Sequence, residues 1–246
     1  SDVFSAYKYA WTAGSGELTA EAQAPAEVFV ASTSSGNANK GYLRPKDNDG
    51  YSVLTYTPKS YGDLYVEMEY FSSWNRFGLV IGGEPGTFPI SRDSNNTNDT
   101  GVFIYANSDG QITAAGAVKP ETAVLTGGVN VDSNNGDVSG TAHVRGLNGA
   151  LTVNNVYTGG VLTAENDQYN TLCVKITGQT LEVWEKKDES RKLTVELTDS
   201  YQGGCVSLAA DQKDHGAFRG LRISGTELTE AEVWDYELAL EPDMDL

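Results

Sequence analysis

Apolar residues along this 246-residue chain recur at every second position, in short runs broken by glycine, asparagine and aspartate. The clearest series begins at Leu172, where Leu172, Val174 and Ile176 alternate with Cys173 and Lys175. Beyond Gly178, Leu181 and Val183 alternate with Glu182 and Trp184, and a charged turn leads to Leu193, Val195 and Leu197. Gly203-Gly204 breaks the chain before Val206 and Leu208, and a closing run carries Phe218, Leu221 and Ile223. A two-residue period marks strands with one buried face, and several in succession without a helical period predict antiparallel β structure.

The pattern extends upstream. Leu64, Val66, Met68 and Tyr70 are expected to face a core, with Tyr65, Glu67, Glu69 and Phe71 on the other side. Further strands are expected over Glu17 to Ala22, Glu27 to Ala31 and Ser52 to Tyr56. A hairpin is expected from Val102 to Tyr105 and Ile112 to Val118, around an Asp109-Gly110 turn. Near the start, Tyr7, Tyr9 and Trp11 would share one face of a strand expected to pair with the C-terminal strand. Trp11 reads as a plug of the core or edge. Asp47-Asn48-Asp49-Gly50 reads as a turn by its chemistry and lacks the later Glu of a calcium-binding EF-hand loop.

Three stretches resemble a known family. Tyr169 to Trp184 (YNTLCVKITGQTLEVW), Gly204 to Ala210 (GCVSLAA) and Phe218 to Ile223 (FRGLRI) resemble the closing half of concanavalin A-like lectin/glucanase jelly-roll domains. The similarity is to laminin-G-like carbohydrate-binding modules and to 3-keto-disaccharide hydrolase-like domains of secreted bacterial glycan-degrading proteins. Gly16 to Gln23, Tyr61 to Phe71 and Arg76 to Gly82 resemble the opening half. The resemblance implies an all-β, concanavalin A-like antiparallel sandwich, a jelly roll, and a role with glycans. A fold of this kind hosts lectins, hydrolases and adhesion domains, so it does not choose among them. Residues 122–167 read as an insertion relative to the family. The expected organisation is one β-sandwich carbohydrate-binding domain over residues 1–226, then an acidic C-terminal strand or linker over 227–246.

The formal charge of −17 argues against nucleic acid, which needs a basic footprint, and favours a neutral glycan over an acidic one. No apolar run is long enough to span a bilayer, so no membrane insertion is expected. The expectation is a mature or truncated segment of a secreted protein, extracellular or on the cell surface, joined to other domains. Cys173 and Cys205 are the only cysteines, and a disulfide is expected only if their strands are neighbours.

Sugar recognition needs aromatic faces together with a few convergent polar groups. Trp74, Asn75 and Arg76 supply one such set, and Tyr105 and Asn107 lie at another strand end. Asp211, Gln212, Lys213, Asp214 and His215 form a polar loop before the closing strand, with donors and acceptors together. Trp184 lies on the face away from Leu181 and Val183, where it could line a concave sheet. No cofactor is expected; structural calcium is conceivable at the Asp-rich runs, including Asp132 to Asp137. Glu67 and Glu69 share a strand face, as catalytic carboxylates of some jelly-roll glucanases do, but the third carboxylate of that motif is missing. His143 and His215 have no nucleophile elbow beside them. The expected function is a non-catalytic carbohydrate-binding module for a neutral glycan, with α-glucan such as starch first and fructan next. A hydrolase of the same fold and an adhesion or spacer domain are the alternatives.

Overall fold

The computed structural model describes residues 3–11, 18–31, 43–47, 50–72, 77–88, 100–106, 112–126, 130–131, 138–139, 142–146, 149–153, 170–186, 189–190, 192–210 and 216–225. In chain order these form β1 (Phe4–Trp11), β2 (Leu18–Gln23), a one-turn helix α1 (Pro25–Val28), β3 (Phe29–Ala31), β4 (Leu43–Pro45), β5 (Tyr51–Tyr61), β6 (Leu64–Ser72) and β7 (Phe77–Ile81). Next come β8 (Val102–Ala106), β9 (Ile112–Gly116), β10 (Val118–Thr126), β11 (Asn130–Val131), β12 (Val138–Ser139), β13 (Ala142–Gly146) and β14 (Gly149–Val153). The chain closes with β15 (Asn170–Thr177), β16 (Thr180–Glu185), β17 (Lys192–Leu197), β18 (Gly204–Ala210) and β19 (Gly216–Gly225).

Two sheets make an all-β sandwich. One runs β14-β13-β9-β8-β7-β18-β5-β1-β2 and the other β10-β17-β16-β15-β6-β19-β4-β3. Their inner faces form one apolar cluster that includes Leu54, Val66, Met68, Leu79, Ile104, Val174, Val183, Val206 and Leu208. Leu64, Val66, Met68 and Tyr70 are all buried, as alternation predicts. Burial of such side chains stabilises by about 1.5–3 kcal/mol each.

Four expectations need correction. The expected strand Ile112–Val118 is two strands: Gly116, at φ 107°, ends β9, and after Ala117 the chain starts β10 in the opposite sheet. A side chain is disfavoured at that φ, so the glycine permits the crossing. β1 does not pair with the last strand; it lies between β2 and β5, while β19 pairs with β6 and β4. The antiparallel rule has an exception within the expected insertion, where β13 pairs with β9 in parallel. Part of the strand expected over Glu27 to Ala31 is α1, started by Pro25 in the first turn, where a missing N–H costs nothing.

The condition for a disulfide is not met. Cys173 lies on β15 and Cys205 on β18, in different sheets, and both are free thiols. Each points away from the shared core, so sheets packed ~10 Å apart hold them beyond the ~7 Å Cα limit for a disulfide. Burial, reinforced by the charges of Glu67 and Glu185, pushes the Cys173 thiol up to about 11. Burial and the Glu84 charge raise Cys205 as well. Neither thiol should react appreciably with a disulfide reagent at neutral pH until the chain unfolds, when both should titrate. Rapid labelling of the native protein would contradict this burial.

The outer face of the nine-stranded sheet is not solvated at its centre. Tyr51, Val53, Val80, Phe103, Tyr105, Ala115 and Ala209 form a second buried cluster, with Phe88 folded over it. Phe88 packs 4.2 Å from Tyr51 and 5.2 Å from Phe103, centroid to centroid. The segment is held by the Gly86 N–H donating to Thr55 Oγ1 at 3.0 Å.

Candidate functional site

The outer face of the eight-stranded sheet carries its functional groups in cross-strand rows, because the registers of β16, β15, β6 and β19 align them. One row reads Trp184, Cys173, Glu67, Arg222, each directly opposite the next. The adjoining row on one side reads Glu182, Lys175, Tyr65, Ser224; on the other, Thr171, Glu69 and Arg219 align. A bulge between Arg219 and Arg222, with Gly220 at φ 60°, lets both arginines stand on this outer face.

The Trp184 ring reaches over the Cys173 strand to stack on Tyr65, centroids 5.8 Å apart and planes at 30°. Lys192, just before the Leu193 that pairs with Val183, places Nζ 4.4 Å from the Trp184 ring centroid. Trp184 is thereby 5% exposed, and its Nε1–H has no partner among the described residues. The aromatic pair is thus a shelf roofed by a lysine stem. A cation–π contact at such a site is worth only about 0.5–1 kcal/mol, so Lys192 can yield its place to a ligand.

Polar groups surround the shelf. Tyr65 donates its hydroxyl to Glu67 Oε1 at 2.6 Å, and Lys186 Nζ donates to Glu67 Oε2 at 3.0 Å. Arg219 grips Glu69 with a fork, Nε at 2.7 Å and Nη2 at 3.2 Å. Burial works to raise the Glu67 carboxyl. The hydrogen bonds from Tyr65 and Lys186 and the charges of Lys186 and Arg222 outweigh it and hold the group below the ordinary carboxylate range. Burial, then the bond to Glu67, pushes the Tyr65 phenol far up. At neutral pH the row is therefore fixed, an anion flanked by cations and an undissociated phenol.

That depression has a testable sign. A carboxyl that binds its proton more weakly when folded adds stability above its unfolded value and loses it as pH falls through the folded one. The stabilities of the native protein and a Glu67→Gln variant should converge from about pH 4 downward. Parallel curves of denaturation midpoint against pH would show that Glu67 titrates as it does in the unfolded chain.

A second concavity lies at one end of the sandwich. It is a cleft of about 640 Å³ lined by Ser60, Tyr61, Gly62, Glu84, Gln202 and Cys205 among others. Its floor is backbone, where Gly83 and Gly204 meet without side chains between them. A shallower trough of about 380 Å³, lined by Asp63, Tyr65, Lys175, Thr177, Ser224 and Gly225 among others, lies next along the chain. Asp63 Oδ1 accepts the Gly178 N–H at 2.7 Å, which pins the β5–β6 turn to the β15–β16 turn beside the trough.

Of the expected contact residues, Trp184 stands on the outer face as its alternation requires, but covered and not bare. Tyr105 is not at an open strand end: it is 2% exposed and stacks on Phe103 inside the second cluster, centroids 4.4 Å apart. Trp74, Asn75, Arg76, Asn107, Asp211, Gln212, Lys213, Asp214 and His215 lie outside the described residues, as do the Asp132 to Asp137 run and residues 227–246. Asp47 of the expected turn is ion-paired with Lys8. Among the described residues no group of three His, Cys, Asp or Glu side chains could hold a metal ion. Sequence reasoning missed Tyr65, Lys186, Lys192, Arg219 and Arg222 as neighbours of Trp184, and it missed the cleft.

No protein-family model matches the chain, and no curated protein does. Among solved structures it is similar to a sialidase at 9% identity and TM-score 0.37, over 75% of this chain and 15% of that one. The chain therefore spans under a sixth of that protein's length. It is similar to the VIP36 exoplasmic/lumenal domain in a Ca2+- and mannose-bound form, at 10% identity and TM-score 0.36 over 80% and 82% of the two chains. It is also similar to a β-glucanase of Bacillus licheniformis, at 14% identity and TM-score 0.33 over 85% of each chain. Likeness at these scores carries no inference about chemistry in this chain.

Proposed function

We propose that the protein is a non-catalytic glycan-binding module, and that the outer face of the eight-stranded sheet is its contact surface. The observation that carries this is the Tyr65–Trp184 shelf, bordered by the Glu67 and Glu69 carboxylates and the Arg219 guanidinium, fixed by ion pairs of Lys186 with Glu67 and Arg219 with Glu69. An aromatic shelf offers a platform to the apolar face of a sugar ring. Planar forked groups beside it can bridge neighbouring hydroxyls, and their preorganisation lowers the entropic cost of doing so. The net charge of −17 favours a neutral glycan. We put α-glucan such as starch first and fructan next, with the module working as one part of a secreted bacterial protein.

The state of the carboxylates supports binding over hydrolysis. A glycosidase needs one carboxyl raised enough to act as general acid, whereas Glu67 is depressed and Glu69 is held bidentately by Arg219. The test is a retardation gel and calorimetry panel of starch, pullulan, inulin, xylan, β-glucan and mucin, with calcium and then chelator. Reducing-sugar release is followed in the same tubes. Retardation without release is expected; release would favour the hydrolase, and silence on every glycan a spacer or adhesion domain. Loss of retardation on chelation would assign calcium to binding.

A further inference from the structure

We infer that the glycan is bound along its length and not by its end, on a track that runs from the Tyr65–Trp184 shelf, over the Gly62–Asp63 turn, into the cleft at the end of the sandwich. The inference rests on the glycan-binding reading above and deepens it. Residues 61–65 are the link. Tyr65 belongs both to the shelf and to the trough, Asp63 lines the trough, and Tyr61 and Gly62 line the cleft. The end of β5, its turn and the start of β6 thus border the cleft, the trough and the shelf in order. The crest between them is Gly62, exposed and without a side chain to obstruct a chain passing over it.

Gly225, which lines the trough, lets β19 pack close against the turn. A Cβ at Gly225 would stand 2.4 Å from the Tyr61 ring and 3.0 Å from the Asp63 carbonyl oxygen. Beyond the charged border of the shelf the charges are few: Lys175 and Asp63 in the trough, Glu84 in the cleft. The rest of the trough is mainly apolar, and the cleft adds hydroxyls, an amide and main chain, the mix of apolar and hydrogen-bonding surface that suits an uncharged sugar chain. Both concavities fall in the size range of small-ligand sites, about 300–1,000 Å³. The lining of the cleft ends at Gly62 and that of the trough begins at Asp63, so the two adjoin at the turn. Linked subsites add their binding energies within one ligand, so affinity should rise with oligomer length until the track is filled.

The experiment is calorimetry with maltotriose and a maltooctaose-length oligomer, or the equivalent ladder of whichever glycan retards the protein. It is repeated on Gly62→Arg, Gln202→Trp and Trp184→Ala, with each fold checked by circular dichroism. The long oligomer should bind at least about tenfold more tightly than the short one. Gly62→Arg and Gln202→Trp should erase that gain and leave the short oligomer's affinity unchanged. Trp184→Ala should weaken both lengths. If glycan binds but length and the two blocking variants make no difference, the track is wrong while the binding function stands. If no glycan binds, both fail.

Discussion

Gly204→Ala is expected to destabilise the sandwich by about 4 kcal/mol, the sum of backbone strain at ~1–3 kcal/mol and two lost hydrogen bonds at ~1 kcal/mol each. Gly204 sits at φ 140°, and a Cβ there would stand 2.3 Å from both the N and the O of Gly83. Those Gly83 atoms are in use: its N–H donates to the Gly203 carbonyl at 2.9 Å, and its carbonyl accepts from the Cys205 N–H at 3.0 Å. Adding a methyl forces the two segments apart and breaks both bonds. With about 2–4 °C lost per kcal/mol in a domain of this size, the melting midpoint should fall by roughly 10 °C. Gly178→Ala separates strain from clash. Gly178 is also in the left-handed region, at φ 60°, but nothing lies within 4 Å of the place a Cβ would take. Its cost should be only about 1 kcal/mol. Equal losses in the two variants would show that the Gly83–Gly204 crossing relaxes freely, and the cleft floor with it.

The crossing also shows where sequence stops being legible. Alternation located the faces of β6, β15, β16 and β17, because a period of two assigns each side chain to one side of its own strand. It could not assign a strand to a sheet. Cys173 and Cys205 both read correctly as outward, yet they look out from opposite sheets. The Gly203-Gly204 break was visible. Its meeting with Gly83, far upstream in the sequence, was not, so the cleft formed by residues around 60, 84 and 202 stayed hidden. Glu185 also escaped: it follows Trp184 on β16, lies on the core side and is 1% exposed, accepting the Thr171 N–H at 3.1 Å. Charge alone would have placed it in water.

The candidate site was half legible for the same reason. Trp184 could be placed outward from its neighbours Val183 and Leu181, and Glu67 and Glu69 likewise on β6. That Trp184, Cys173, Glu67 and Arg222 form one row depends on register across four strands, which strand patterns do not carry. One local signal was available. Phe218-Arg219-Gly220-Leu221-Arg222 puts a glycine inside a strand between two arginines, and an interior glycine marks a bulge. Reading it would have put both arginines on one face.

Trp184→Ala is expected to weaken glycan binding by tenfold or more, about 1.4 kcal/mol, while the protein remains folded. Replacing a buried Trp by Ala in a core costs about 3–5 kcal/mol. Here the ring lies on an outer face where Lys192 can settle into the gap, and its buried, unpartnered Nε1–H disappears with it. Relief of such an orphan returns about 1–3 kcal/mol, so the net loss should be about 2 kcal/mol. Against a total of about 5–15 kcal/mol the fold survives, and binding can be read on native protein. Trp184→Phe distinguishes a contact from a prop. It removes the orphaned N–H and keeps an aromatic face over Cys173 and beside Tyr65. Stability should change little and most of the affinity should remain. Full affinity in the alanine variant, measured by calorimetry on the same glycan, would take the shelf out of the binding surface and leave the cleft as the place to look.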